Sequence, residues 1–270
     1  MSGQLTAQQI TDRIRADVES RGFSWADATV DTFKVGDPGT VVTGIASSWM
    51  ATSDVIAAAA AAGCNLLISH EPTFWNHLDN LPAPEAHDEV YAEKMRLIEE
   101  TGMVIWRFHD HNHFGFTRDP VFDALLDRLG FLPDTEGNSL YATTMVPGIP
   151  LSELAVRVEE ALGTQNVRVI GDPAMPVHTV GYGGHTLDSC ILWRDPADVT
   201  IVGEVREWDT FEYYRDAATL GVPRALIVIA HRQLETWGAD ALAGWLTELI
   251  PEVPVHAIDA VEPFRVVAAA

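Results

Sequence analysis

Cysteine is scarce in this chain: only Cys64 and Cys190 occur in 270 residues, both inside apolar runs. That excludes a disulfide framework and a zinc site of paired thiolates, and it makes a reducing cytoplasm the expected compartment. Basic residues are also few, 17 Lys plus Arg against 39 Asp plus Glu, for a formal net charge of −22. A field of that sign repels a phosphate backbone or an anionic bilayer, so neither nucleic acid nor membrane is an expected partner and cations are the natural ligands. No run reaches the ~18 consecutive apolar residues that a spanning helix needs. Asp12, Arg13, Arg15 and Asp17 break up the opening segment, which therefore lacks the uncharged stretch of a signal peptide. Low-complexity tracts and short-period repeats are missing too. With 47% of residues hydrophobic and 21% charged, disordered and collagen-like classes fall away.

What is present reads as alternating strands and helices. Thr6 precedes Ile10, Ile14 and Val18 at helical spacing, predicting a capped amphipathic helix that ends near Gly22. Val41 to Ala46 reads as a strand, Ser53 and Asp54 as caps of an alanine-rich helix, and Cys64 to Ser69 as a buried strand of a parallel sheet. A helix from His87 to Thr101, a strand Met103 to Phe108 and a helix from Pro120 to Leu129 continue the pattern. Pro133 to Gly137 looks like a boundary, which gives two α/β lobes, 1–135 and 136–270. The second lobe is expected to hold strands near Leu140–Met145, Val167–Ile170, Val177–Tyr182, Thr200–Val202, Ala225–Ala230 and Val255–Ile258. Its helices are expected at Leu151–Leu162, Trp208–Leu220 and Leu234–Leu249. The fold class is therefore α/β, as two similar lobes with a site at strand ends between them.

In parallel sheets ligands bind just beyond the carboxyl ends of the strands, and three such ends are rich in histidine. They are "LLISHEPTFWNH" with His70, Glu71 and His77, "VIWRFHDHNHF" with His109, Asp110, His111 and His113, and "LIVIAHRQLETWG" with His231 and Glu235. Imidazole nitrogen with carboxylate oxygen is a ligand set for zinc, iron, manganese, nickel or cobalt, and two divalent ions are expected. His231 and Glu235 lie four apart, on one face of a helix. A His-x-x-x-Glu pair more often marks a solvated helix face, but this one directly follows the apolar run Ala225 to Ala230. His70 could be a capping histidine and His77 a surface residue. The second motif could be a histidine-rich surface loop, and spacing leaves open which of its polar groups coordinate. The "GYGG" turn, with Gly181, Gly183 and Gly184, would let backbone N–H groups approach a phosphate, or it is a tight turn. Glu204 ends a strand and Asp209 opens the next helix, where capping would explain it. Trp75, Trp208 and Trp237 could wall a planar substrate, although core packing would explain each.

These pieces in this order resemble the NGG-one-interacting-factor-three-like (Nif-three-like) family. Its members are also known as type 2 homologues of GTP cyclohydrolase I or dinuclear metal centre hexameric proteins. The resemblance runs from about Val41 to Gly238. It implies a hexamer of two-lobed α/β subunits and a two-metal site to which His70, His231 and Glu235 match directly, with Glu235 as bridge. Two positions depart from the family pattern. Glu71 stands where a second histidine is expected, and His113 stands where an aspartate is expected, four residues after His109. Asp110 supplies the carboxylate if the loop is shifted. Trp208 takes a place where the family often has histidine.

The function expected from these residues is a metal-dependent hydrolase acting on a small substrate with a C–N or C=O bond, through a metal-bound hydroxide. Glu204 or Asp110 would shuttle the proton. The alternative is a non-catalytic metal-binding or regulatory scaffold, for metal storage or insertion, whose ligands saturate each ion. A nucleotide-binding module built on the glycine turn is the third reading.

Overall fold

The computed structural model describes residues 4–80, 88–131, 143–191 and 197–265. The predicted boundary at Pro133 to Gly137 and the residues at 140–142 and 87 lie outside them. The chain forms two compact units, residues 1–121 with 238–261, and residues 122–237 with 262–270. No helix among the described residues is long and apolar enough to cross a membrane.

The first unit opens with helix α1 (Ala7–Ser20), where Thr6 accepts from the Gln9 amide and the Gln9 side chain accepts from the Thr6 amide. This reciprocal capping satisfies two N–H groups that the first turn leaves open. Strands β1 (Phe33–Val35), β2 (Ile45–Ser48), β3 (Leu66–Ser69) and β4 (Val104–Arg107) alternate with α2 (Ser53–Ala61) and α3 (Glu89–Thr101). Thr52, not Ser53 or Asp54, takes the N-cap position of α2. With β10 (Val255–Ala257) they form a sheet ordered β1-β4-β3-β2-β10, parallel except for β1. Strand β1 is short and half-buried, and for that reason carries no sequence signal.

The strands are buried on both faces, and alternation divides them between two cores. Ile45, Leu66, Ile68, Val104 and Trp106 face α1 together with Leu242 and Leu246. Ala46, Leu67 and Ile105 face Val55, Ile56 and Ala59 of α2 and Ile98 of α3. After β4 come the short helix α4 (Asp110–Phe114) and helix α5 (Pro120–Arg128).

The second unit contains β5 (Thr143–Pro150), α6 (Leu151–Leu162), β6 (Arg168–Ile170), β7 (Pro176–Tyr182), α7 (Leu187–Ile191) and β8 (Val199–Val202). One π-helical turn, Glu207–Phe211, leads into α8 (Glu212–Thr219), followed by β9 (Ala225–Val228) and α9 (His231–Leu249). Its sheet is ordered β5-β7-β8-β9-β6, with β7, β8 and β9 parallel and both edge strands antiparallel. Val180, Val199, Ile201 and Ile227 pack on α5 and α6, while Val202, Leu226 and Val228 pack on Tyr214 of α8.

Two boundaries differ from the sequence reading. Phe122, Leu125 and Leu126 bury themselves in the second core, so that unit begins at Phe122 rather than 136. Residues 238–261 belong to the first unit because Leu242, Leu246, Ile250 and Val253 complete its core and β10 pairs with β2. Helix α9 also starts earlier than Leu234, at His231.

The loop after β3 is held from below by Lys94 of α3, which is buried and donates to the Thr73 carbonyl at 2.5 Å. Its ammonium lies 5.3 Å from the Trp75 ring centroid and 5.8 Å from that of Phe74. Burial pulls its pKa from an ordinary 10.5 down to about 8. Between those values the unfolded chain holds a proton that the folded chain has released, so folding is increasingly favoured as pH rises through the window. The stability of wild type relative to Lys94→Met should therefore increase between pH 8 and 10.5 and stay level from pH 6 to 7.5, read from urea unfolding midpoints.

Candidate functional site

In the first unit the carboxyl ends of β3 and β4 bring three histidines together. One ligand atom from each of His70, His109 and His113 lies within 4.8 Å of the others. The rings of His70 and His109 stack at 4.7 Å, and His113 stands edge-on to both, at 4.7 and 4.9 Å.

Each ring is oriented through Nδ1 by an oxygen acceptor. His70 Nδ1 lies 3.3 Å from the Phe108 carbonyl, His109 Nδ1 2.9 Å from Asp110 Oδ1, and His113 Nδ1 2.7 Å from Asp119 Oδ2. A carboxylate oxygen only accepts, so His109 and His113 carry the ring hydrogen on Nδ1 and the lone pair on Nε2, while His70 Nδ1 stands 3.3 Å from both the Phe108 carbonyl and the Asn112 side-chain nitrogen. A metal-ligating histidine normally has such a partner behind it. The donor chemistry of this cluster therefore fits a divalent ion.

The other members of these motifs serve the cluster from outside. Asp110 accepts from Thr29 Oγ1 at 2.8 Å and the Val30 amide at 3.1 Å as well as from His109. The bond from His109 holds its carboxyl well below the usual carboxylate range. The structure thus places Asp110 behind a histidine rather than among the three. Glu71 accepts from Arg107 Nη2 at 3.1 Å, while its other oxygen stands 4.0 Å from His109 Nε2. Arg107, fully buried, also donates to the His70 and His77 carbonyls and so pins the loop. His77 is exposed, its ring 5.7 Å from that of His109.

His111 turns away from the cluster. It accepts from the Ala26 amide at 3.0 Å, bonds Asp31 at 2.7 Å through Nδ1 and stacks on Trp25 at 3.7 Å. Buried Asp31 further accepts from the amides of His109, Asp110 and His111 at 2.6 to 2.9 Å. It caps α4 and fixes the backbone that carries His109 and His113. Neither Asp31 nor Asp119 could be singled out by motif spacing, because each acts through a partner distant in sequence or oriented by a turn.

In the second unit the carboxyl ends of β7, β8 and β9 carry His185, Glu204 and His231. His185, His231 and Glu235 each offer a ligand atom within 4.8 Å of the others. His231 Nε2 lies 2.9 Å from Glu235 Oε2 and its Nδ1 3.4 Å from Glu204 Oε1, while His185 Nε2 is 3.9 Å from Glu235 Oε1. Two imidazoles and a buried carboxylate suit a divalent ion, and the i, i+4 spacing puts His231 and Glu235 on one helix face as expected. His185 is new. It follows the "GYGG" strand end, so the rule that flagged the other strand ends applied to it as well.

Glycines shape this end of the sheet by close approach rather than by cradling a ligand. A Cβ on Gly203 would sit 2.9 Å from the His231 Cα, and one on Gly183 2.9 Å from a Val202 methyl. Ala230, just before His231, takes a left-handed φ of 70°, a conformation that costs an alanine about 1 kcal/mol. Trp75 and Trp208 are exposed, and Trp237 packs partly buried against the second core beneath Arg128.

Proteins of known sequence or structure resemble this chain. A protein of Clostridium acetobutylicum named GTP cyclohydrolase 1 type 2 homolog is 24% identical over 155 residues, 54% of this chain and 56% of that protein. The match thus spans little more than half of that relative's length. The crystal structure of a Bacillus cereus protein related to NIF3 superposes with a TM-score of 0.76 at 14% identity, covering 98% of this chain and all of that one. A Staphylococcus aureus protein gives 0.73 at 17% identity, with the same coverage. At such identities the structures show the fold alone. The family model for Duf34/NIF3 (NGG1p interacting factor 3) matches residues 33–263, and the chain belongs to that family.

Proposed function

We propose that this protein is a metal-dependent hydrolase of small molecules with a C–N or C=O bond, its ions held by His70, His109 and His113 in one unit and by His185, His231 and Glu235 in the other. The observation that carries the reading is the first cluster, three gathered imidazoles of which His109 and His113 each have a carboxylate behind Nδ1. When bound, divalent ions acidify coordinated water and polarise a carbonyl or imine.

The chain's own residues supply the rest. Asp110 and Asp119 orient His109 and His113 and favour their basic Nε2 atoms. Arg107 neutralises Glu71 and keeps the loop after β3 closed on itself. Glu204 lies against His231 at 3.4 Å, largely exposed, and can exchange protons with solvent. That position suits the proton shuttle which a hydrolysis requires.

Elemental analysis should find about two divalent ions per chain, falling to about one in His113→Ala and in His231→Ala. Less than one ion, indifferent to both changes, would sink the reading. Metal-loaded protein that turns over no cyclic amide, ester or nucleotide would leave the scaffold alternative in its place.

Asp31→Ala tests the support beneath the first cluster. It strips a charged acceptor from three amides and should cost about 3 kcal/mol of stability. Metal affinity at His70, His109 and His113 should weaken about 10- to 100-fold in competition with a chelator, with the ion at His231 retained.

A further inference from the structure

The edge of the second sheet holds a cavity that the metal ligands do not use. Strand β6 runs antiparallel to β9, pairing Arg168 with Val228 and Ile170 with Leu226. The residues entering β6 therefore lie at the same end of the sheet as those leaving β9. A cavity of about 520 Å³ opens there, lined by Gln165, Asn166, Arg168, Phe264 and Arg265, with Ala230 in its wall. Ala230 immediately precedes His231, so this wall continues into the residue that begins the second cluster.

The lining chemistry runs against the rest of the chain. Its lining residues, Val167 included, count two arginines and two carboxamide-bearing residues and no acid, in a protein with 39 acidic and 17 basic residues. Arg13, Arg15, Arg21, Arg96, Arg157 and Arg215 each pair with an acid. Neither Arg168 nor Arg265 has such a pair among the described residues. Arg168 instead lies over the Phe211 ring at 5.2 Å, which steadies the guanidinium without neutralising it. Phe264 adds an exposed flat apolar face.

We propose that this cavity binds a small organic anion, a phosphate or carboxylate carried on a planar ring. The guanidinium forks of Arg168 and Arg265 take the anionic oxygens, the amides of Gln165 and Asn166 match ring heteroatoms, and Phe264 covers the ring face. The inference rests on the hydrolase reading for its meaning, since it gives that substrate a negative charge and an anchor beside His231.

Calorimetric titration of the purified protein with phenyl phosphate, benzoate and inorganic phosphate tests it, with the metal content of every sample measured alongside. One of the two ring-bearing anions should bind more tightly than inorganic phosphate, the tighter one identifying the anionic group. Arg168→Gln and Arg265→Gln should each weaken it at least about tenfold. Arg157→Gln, on the exposed face of α6, should not. Equal affinity in wild type and both cavity variants, or no binding at millimolar ligand, overturns the proposal and leaves the metal reading intact. Arginine-dependent binding in protein of low metal content supports the cavity and removes the metal reading instead.

Discussion

The first candidate site depends on a cation that has no access to water. Arg107 ends β4 fully buried, and a guanidinium in such a place is tolerable only if its donors are met and its charge is balanced. Glu71 balances the charge and accepts one N–H, and the carbonyls of His70 and His77 accept two more. One side chain thereby ties the end of one parallel strand to the loop that leaves its neighbour. His70 is placed by that tie and by the Phe108 carbonyl behind its ring. The loop carries left-handed backbone at Trp75 and Asp79, which such anchoring sustains.

The acid surplus of the chain acquires a local meaning from these contacts. Read as composition, it is a field that attracts cations. In the structure several carboxylates face inward, each against N–H donors: Asp31 against three amides and His111, Asp110 against His109, Asp119 against His113. They set which nitrogen of each ring carries hydrogen, a short-range effect that net charge does not describe. Arg168 and Arg265 make the complementary point, as positive groups without an acidic pair among the described residues.

Much of the architecture was legible because its signals are periodic or strongly apolar. Helix α6 spans the residues that its pattern predicts, Leu151–Leu162, and α1 carries the cap that Thr6 announces. The apolar runs Cys64–Ser69, Met103–Phe108 and Ala225–Ala230 contain strands β3, β4 and β9, and the histidines beyond them do gather in clusters. Strand β1 and the short helices α4 and α7 escaped notice because a few half-buried or polar residues have no period to read. The lobe boundary was misplaced for a different reason. Phe122, Leu125 and Leu126 would suit any core as hydrophobic residues, and only the partners across space say which one they fill.

The sequence by itself determined that the chain is α/β, that its histidines stand at strand ends and that His231 and Glu235 share a helix face, because these follow from local periodicity and spacing. Tertiary structure decided the rest. It separated His113 from His111 by giving the first to Asp119 and the second to Asp31, bound Glu71 to a buried arginine, and brought His185 to His231. These outcomes depend on groups dozens of residues apart or on the direction in which a turn aims a side chain, and neither is encoded in the spacing of residues along the chain.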